Sequence, residues 1–238
     1  MEIIRGKRKP EGDGARANRI LGEGRHLDPF VLFDEYYVYP DASFPMHGHS
    51  GFEGFQYLMS GGTRYEDNHG NSGDIYKGGA RRFVSGNSFE HSEVPLSRET
   101  VRGYLLWVVL PREKREEVFY HQISQENIKR RIEGDMTTTF IISPTKGLDS
   151  HSEVDMKLME GSGENVVEIG KGESGFVYLS RGDLSVEGTL LVPGSAAVLE
   201  VGDHELEYGG DTELVTVKAK RSGLDFIQEG GFVRLVGD

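Results

Sequence analysis

Apolar positions recur with period 2 over short stretches, as in Phe176 to Leu179, Leu184 to Val186 and Leu214 to Ala219. Gly or Asp interrupts them at roughly every 8 to 12 residues, the spacing of strands joined by tight turns. Such alternation places one face of each strand in a core and the other toward solvent, so the chain reads as all-β. Two segments read instead as short surface helices, Pro111 to Val118 and Ser124 to Glu133. In the second, Ser124 is a plausible N-cap and Asn127 stands where a capping box would have Glu or Gln.

The same pattern occurs twice. Tyr57-Leu58-Met59-Ser60-Gly61 matches Tyr178-Leu179-Ser180-Arg181-Gly182 at an offset of 121, and Lys77-Gly78-Gly79-Ala80 through Gly86 matches Pro193-Gly194-Ser195-Ala196 through Gly202 at an offset of 116. The difference falls in the loop Glu66 to Asp74 of the first copy, where a hairpin connection tolerates a change of length. Each copy reads as strand, hairpin, strand with glycine at matching corners. The expected fold is therefore two antiparallel β-barrel (jelly-roll-like) modules with a few short helices, residues 1–130 and residues 131–238.

Composition narrows the function classes. A net charge of −12 opposes attraction to phosphate backbones and anionic membranes, so no direct nucleic-acid partner and no membrane partner is expected. The longest wholly apolar run, Tyr104 to Leu110, is far short of a membrane span, and no apolar segment follows the basic residues at the N-terminus. The default location is cytoplasmic. With no cysteine, any metal must be held by imidazole, carboxylate or water.

Histidine spacing points to such a metal. His47 and His49 lie two apart in Phe44-Pro45-Met46-His47-Gly48-His49-Ser50-Gly51-Phe52-Glu53, and on a strand residues i and i+2 share a face about 6.5 Å apart. His91-Ser92-Glu93 repeats the spacing later in the same module. Two strands each projecting such a pair inward offer His47, His49, His91 and Glu93 as ligands to one divalent ion. On a six-coordinate ion this leaves two open positions, which suits iron, manganese, nickel or copper better than a closed structural zinc site. Glu53 is either a fifth ligand or, ranked first, a partner orienting an imidazole. At the offset of the repeat, Glu168, Gly170 and Ser174 replace His47, His49 and Glu53, and Glu207 replaces His91, so the second module is expected to be metal-free. The loop Glu66-Asp67-Asn68-His69-Gly70-Asn71 lacks EF-hand spacing and reads as a solvated hairpin.

These residues resemble the cupin superfamily and, more specifically, its two-module pirin family. The resemblance rests on His26-Leu27-Asp28-Pro29-Phe30 through Asp34, on His47 to Glu53 followed by Tyr57-Leu58, and on Glu66-Asp67 before Gly70-Asn71. It continues in His91-Ser92-Glu93-Val94-Pro95, in Leu106-Trp107-Val108 before Leu110-Pro111, and in Gly231-Phe232-Val233. It implies a bicupin holding iron through His47, His49, His91 and Glu93, with Glu53 unligated. Some members of the family are quercetin 2,3-dioxygenases, and animal pirin is associated with transcription-factor complexes. Departures include Gly78-Gly79, Arg82-Phe83 and Gly86-Asn87-Ser88, which suggest a site mouth made more polar by Arg81 and Arg82.

The leading expectation is an oxygenase whose partners are a small aromatic or enolic substrate and O2. The substrate would bind the metal as an oxyanion, with Glu93 or Glu53 as the catalytic base. Phe44, Phe52, Phe55, Tyr57 and Trp107 are candidate apolar walls. A metal-dependent regulatory protein with a protein partner, and a non-redox isomerase or hydrolase, are the alternatives. The chain is expected to be a monomer or a small homo-oligomer.

Overall fold

The structure is a computed structural model that describes residues 1–237. It divides into two compact units that exchange the ends of the chain. One comprises Lys7–Asn127 with the segment from Ser222 onward, and the other Met1–Gly6 with Ile128–Arg221. Among the described residues no helix is long and apolar enough to cross a membrane.

In the first unit, seven strands form one sheet in the order Phe119–Ile123, Ala80–Val84, Phe52–Ser60, Val101–Val109, Phe30–Val38, Ala15–Leu21 and Lys7–Pro10. A four-stranded sheet, in the order Phe44–His49, Phe89–Pro95, Gly62–Asp67 and Ser72–Tyr76, packs against it. Every pairing is antiparallel, as expected for a jelly-roll-like barrel. The core joins Leu32, Phe52, Phe83 and Trp107 of the larger sheet to Tyr65 and Phe89 of the smaller one. Val233 and Leu235 of the C-terminal hairpin Phe226–Glu229/Phe232–Leu235 complete this cluster.

The second unit repeats the central order. Ser195–Leu199, Glu173–Arg181 and Gly202–Lys220 lie side by side like Ala80–Val84, Phe52–Ser60 and Val101–Val109. The correspondence extends to single hydrogen bonds. The Gly78 amide donates to the Leu58 carbonyl and the Gly194 amide to the Leu179 carbonyl, both at 2.7 Å. Gly78 and Gly194 have φ of 80° and 82°, a conformation that an L side chain resists. The interior of this unit is filled by Val177, Leu179, Leu184, Val186, Leu206 and Tyr208. Glu207 and Glu168 are exposed, whereas Leu206 and Tyr208, on either side of Glu207, face inward.

Two helical expectations give way to other structure. In Pro111 to Val118 only Arg112–Lys114 forms a single 3-10 turn. In Ser124 to Glu133 a turn closed by the Asn127 amide on the Ser124 carbonyl is followed by the strand Arg130–Glu133, which pairs with Met136–Ile142. Gly134, at φ 59°, makes the hairpin turn, so ladder bonds satisfy the backbone that a helix would have satisfied internally.

The core assignment has a direct test in urea. Phe52 is fully buried with its ring stacked on Trp107 at 4.1 Å, so Phe52→Ala is expected to destabilise the protein by about 3–5 kcal/mol. Val94→Ala, at a position 44% exposed, is expected to move stability by less than about 0.5 kcal/mol.

Candidate metal centre

The strands Phe44–His49 and Phe89–Pro95 are neighbours, and their register sets His47 directly opposite His91 and His49 opposite Phe89. Alternation then turns all three imidazoles to the barrel interior, since side chains of one parity share a face. The register shifts between His91 and Glu93, which lies opposite Phe44. The extra residue falls at Pro45–Met46, a bulge beside the site.

The ring nitrogens converge. One donor atom from each of His47, His49 and His91 can be chosen so that all lie within 4.8 Å of one another, and Nε2 of His49 is 3.0 Å from Nε2 of His91. Two donors at about 2.1 Å from one ion and at about a right angle would be separated by about 3.0 Å, so this spacing fits a shared metal. Backbone carbonyls set the tautomers. Nδ1 of His47 donates to the Pro45 carbonyl at 2.8 Å and Nδ1 of His49 donates to the Gly231 carbonyl at 3.1 Å. Each bond leaves the Nε2 lone pair facing inward, the arrangement that metal-binding histidines need.

Burial keeps the His49 and His91 rings neutral. Burial, followed by the nearby His91 and His47, pushes His49 down to about 3 from an ordinary 6.5. Burial, then His47 and the Arg81 guanidinium, pushes His91 down to about 3 as well. Neutral imidazole is the coordinating form, so protons compete weakly for these donors. The donor set of three imidazoles with a carboxylate near them suits a divalent transition metal.

The two glutamates are placed differently. The Glu93 carboxylate lies 3.9 Å from Nδ1 of His91, beside the cluster rather than among the three converging donors. It accepts a hydrogen bond from Gln56 Nε2 at 3.1 Å and stands 3.6 Å from Arg81 Nη1. Glu53 is fully buried but is not brought to the histidines. It shares a face with Phe55 and is ion-paired to Arg82 at 2.9 Å, while Gln56 and Phe83, of the opposite parity, line the cavity.

Arg81 and Arg82 do not form a polar mouth. Both are buried, and as successive strand residues they point to opposite faces, Arg81 to Glu93 and Arg82 to Glu53. The cavity holding the histidines has a volume of about 610 Å³ and apolar walls of Leu32, Phe44, Phe83, Leu105 and Trp107. Of the other expected wall residues, Phe52 lies beneath Trp107, while Phe55 and Tyr57 have the parity of Glu53 and are not among the lining groups. The loop at Glu66 to Asn71 is a hairpin turn in which the Asp67 carboxylate accepts bonds from the His69 and Asn71 amides.

Gly231, Gln56 and Tyr36 stand at the candidate site although spacing did not single them out. Gly231 arrives from the far end of the chain, and a Cβ there would stand 2.5 Å from Nδ1 of His49. Its only sequence signal was the Gly231-Phe232-Val233 motif. Gln56 and Tyr36 line the cavity from the strands on either side of Val101–Val109 and belong to the ordinary alternation of a barrel wall.

Two measurements check this geometry. Gly231→Ala is expected to displace the His49 ring and lower the metal content of the purified protein at least several-fold, with the far-ultraviolet circular dichroism unchanged. In metal-stripped protein the unfolded chain takes up protons on His49 and His91 below about 6.5, whereas the folded chain does so only near 3. Stability is therefore complete above pH 6.5 and falls on acidification through that window, by up to about 1.4 kcal/mol per pH unit for each histidine. A double His49→Gln/His91→Gln variant is expected to show a flatter profile in denaturant titrations between pH 7.5 and 5.

Comparison with known proteins agrees with the fold. The Pirin family profile matches residues 14–108. Human pirin is 33% identical over 245 residues, covering 95% of this chain and 84% of the human protein. The crystal structure of a quercetin 2,3-dioxygenase from Acinetobacter baumannii has a TM-score of 0.87 at 20% identity, covering 100% of this chain and 92% of that one. A bacterial pirin from Escherichia coli in complex with nickel(II) has a TM-score of 0.77 at 14% identity, covering 92% of this chain and 98% of that one. At these identities the two structures establish the shared two-module cupin fold. By its sequence relation to human pirin over nearly its whole length, this chain belongs to the pirin family.

Proposed function

We propose that the protein is a metal-dependent oxygenase of flavonol- or catechol-like substrates, with His47, His49 and His91 holding one divalent transition metal and Glu93 completing the set. Iron is the first assignment, with copper, manganese and nickel as alternatives. The observation that carries this reading is the convergence of three imidazoles on a largely apolar cavity of about 610 Å³. Its volume suits a small aromatic ligand. The nickel in the Escherichia coli pirin and the dioxygenase from Acinetobacter baumannii support it by relationship.

A bound metal would act as a Lewis acid toward a substrate hydroxyl and, if redox-active, would bring O2 chemistry within reach. The residues of the chain do the rest. Glu93, steadied by Gln56 and Arg81, is placed to take the proton of a hydroxyl held beside His91. Phe44, Leu105 and Trp107 wall that proton transfer with apolar groups, and the rings of Phe44 and Trp107 offer flat surfaces to an aromatic ligand. Glu53 stays outside the reaction, because its carboxylate is committed to Arg82 on the other face of the sheet.

Protein loaded separately with iron, copper, manganese and nickel and given quercetin under air is expected to consume O2 and release carbon monoxide with at least one metal. His91→Ala is expected to lose at least nine-tenths of its metal and this activity, while Glu53→Gln keeps its metal. No oxygen uptake with any of the four metals would overturn flavonol cleavage.

A further inference from the structure

Phe232 opens the strand Phe232–Leu235 of the C-terminal hairpin, and its backbone is anchored on both sides. The Gly231 carbonyl accepts from Nδ1 of His49 at 3.1 Å and from the Ser50 amide at 3.3 Å. The Val233 amide donates to the Ser50 carbonyl at 2.9 Å, and the Val233 carbonyl accepts from Arg115 Nη2 at 2.6 Å. Val233 and Leu235 are buried in the aromatic core, so strand alternation sends the Phe232 side chain the other way. Phe232 lines the cavity of the histidines and is 48% exposed, which places it where that cavity meets solvent. Its ring stands over Gly48, the residue between His47 and His49, where a Cβ would lie 3.4 Å from Cζ of the ring. Among the described residues Phe232 makes no contact with another aromatic ring, whereas the Phe44 ring meets His47 and the Trp107 ring is stacked on Phe52. An aromatic side chain on an anchored backbone, with half its surface open beside a metal-ligating cluster, is a preformed contact for a ligand ring.

The inference rests on the metal reading above. A chelator turns its coordinating oxygens toward His47, His49 and His91, so the remainder of the molecule extends away from them toward the open side of the cavity. A single-ring chelator has little to offer there, whereas one carrying a further aryl group brings it to the rim. We infer that Phe232 is a specificity-determining residue that selects chelators bearing an aryl group beyond the coordinating ring, as flavonols do, over single-ring chelators of the same charge. Phe232 supplies apolar contact to that aryl group and takes no part in coordination. A purely structural role in the hairpin would act differently. It would be transmitted through the Gly231 carbonyl to His49, and so would alter the metal and every ligand on it alike.

The test uses full-length protein loaded with cobalt(II) and kept anaerobic, titrated with 3-hydroxyflavone and with maltol. Both coordinate as monoanions through one hydroxyketone unit, and only the first carries aryl groups. Visible absorption of the cobalt reads both affinities, and the ligands' own pKa values cancel when variants are compared. Wild-type protein is expected to bind 3-hydroxyflavone the more tightly. Phe232→Ala is expected to weaken 3-hydroxyflavone about tenfold and maltol by less than about twofold, with the cobalt content unchanged. Phe232→Tyr, which keeps the ring, is expected to retain the wild-type ratio. If Phe232→Ala loses its cobalt, Phe232→Leu reads the same ratio, with an expected fall of about threefold. Equal factors for the two ligands, no change in either, or loss of cobalt from both the Ala and the Leu variant would overturn the role of Phe232 alone. Wild-type protein that takes up no cobalt would instead overturn the metal reading, and wild-type protein that takes up cobalt but binds neither hydroxyketone would overturn the flavonol reading, so the failures are distinguishable.

Discussion

The backbone pairing of Phe44–His49 with Phe89–Pro95 sets the geometry on which the candidate centre depends. Residues directly opposed on antiparallel neighbours carry their Cβ atoms about 4.5–5.5 Å apart, so two facing histidines and a third two residues along must meet at one point. A slip of one residue would turn every imidazole to the other face. The hydrophobic cluster of Phe52, Phe83, Phe89 and Trp107 prevents that slip, because these rings bury themselves only in the observed register. Packing the aromatic core and aligning the donor atoms are one constraint.

That constraint carries an electrostatic consequence. Imidazoles held this deep are disfavoured as cations, and Nε2 of His49 and Nε2 of His91 stand 3.0 Å apart, a spacing that one shared proton or one metal ion bridges. Such a cluster is a poor structural element and a good cation receptor. The carbonyl of Gly231 adds to it by fixing the tautomer of His49 from a segment that follows the whole second module in sequence. In the other unit, where Leu184, Val186, Leu206 and Tyr208 fill the interior, the same scaffold packs as an ordinary core.

Buried charge is distributed with similar economy. Arg81 and Arg82 are adjacent in sequence but serve opposite faces of one strand, and each meets one of the two glutamates that motif spacing had grouped together. Glu93 is thereby kept at the cavity and Glu53 removed from it. The bulge at Pro45–Met46 further separates Glu93 from the regular ladder, which explains why its carboxylate stands beside His91 rather than among the converging nitrogens.

Much of this was legible in the chain. Period-2 alternation identified the strands, the internal repeat identified two related modules, and two i/i+2 pairs identified His47, His49 and His91 as one cluster, because strand geometry converts spacing directly into direction. The segment Ser124 to Glu133 misled, since a local capping signal weighs little against a hairpin partner that supplies cross-strand bonds. What only the tertiary structure decided was which neighbour each side chain meets. The separation of Glu53 from Glu93, the burial of Arg81 and Arg82, the alignment of Leu206 and Tyr208 with the interior, and the arrival of Gly231 at His49 all follow from register, bulges and chain ends. Those features arise from contacts between residues far apart in sequence, which a local pattern does not encode.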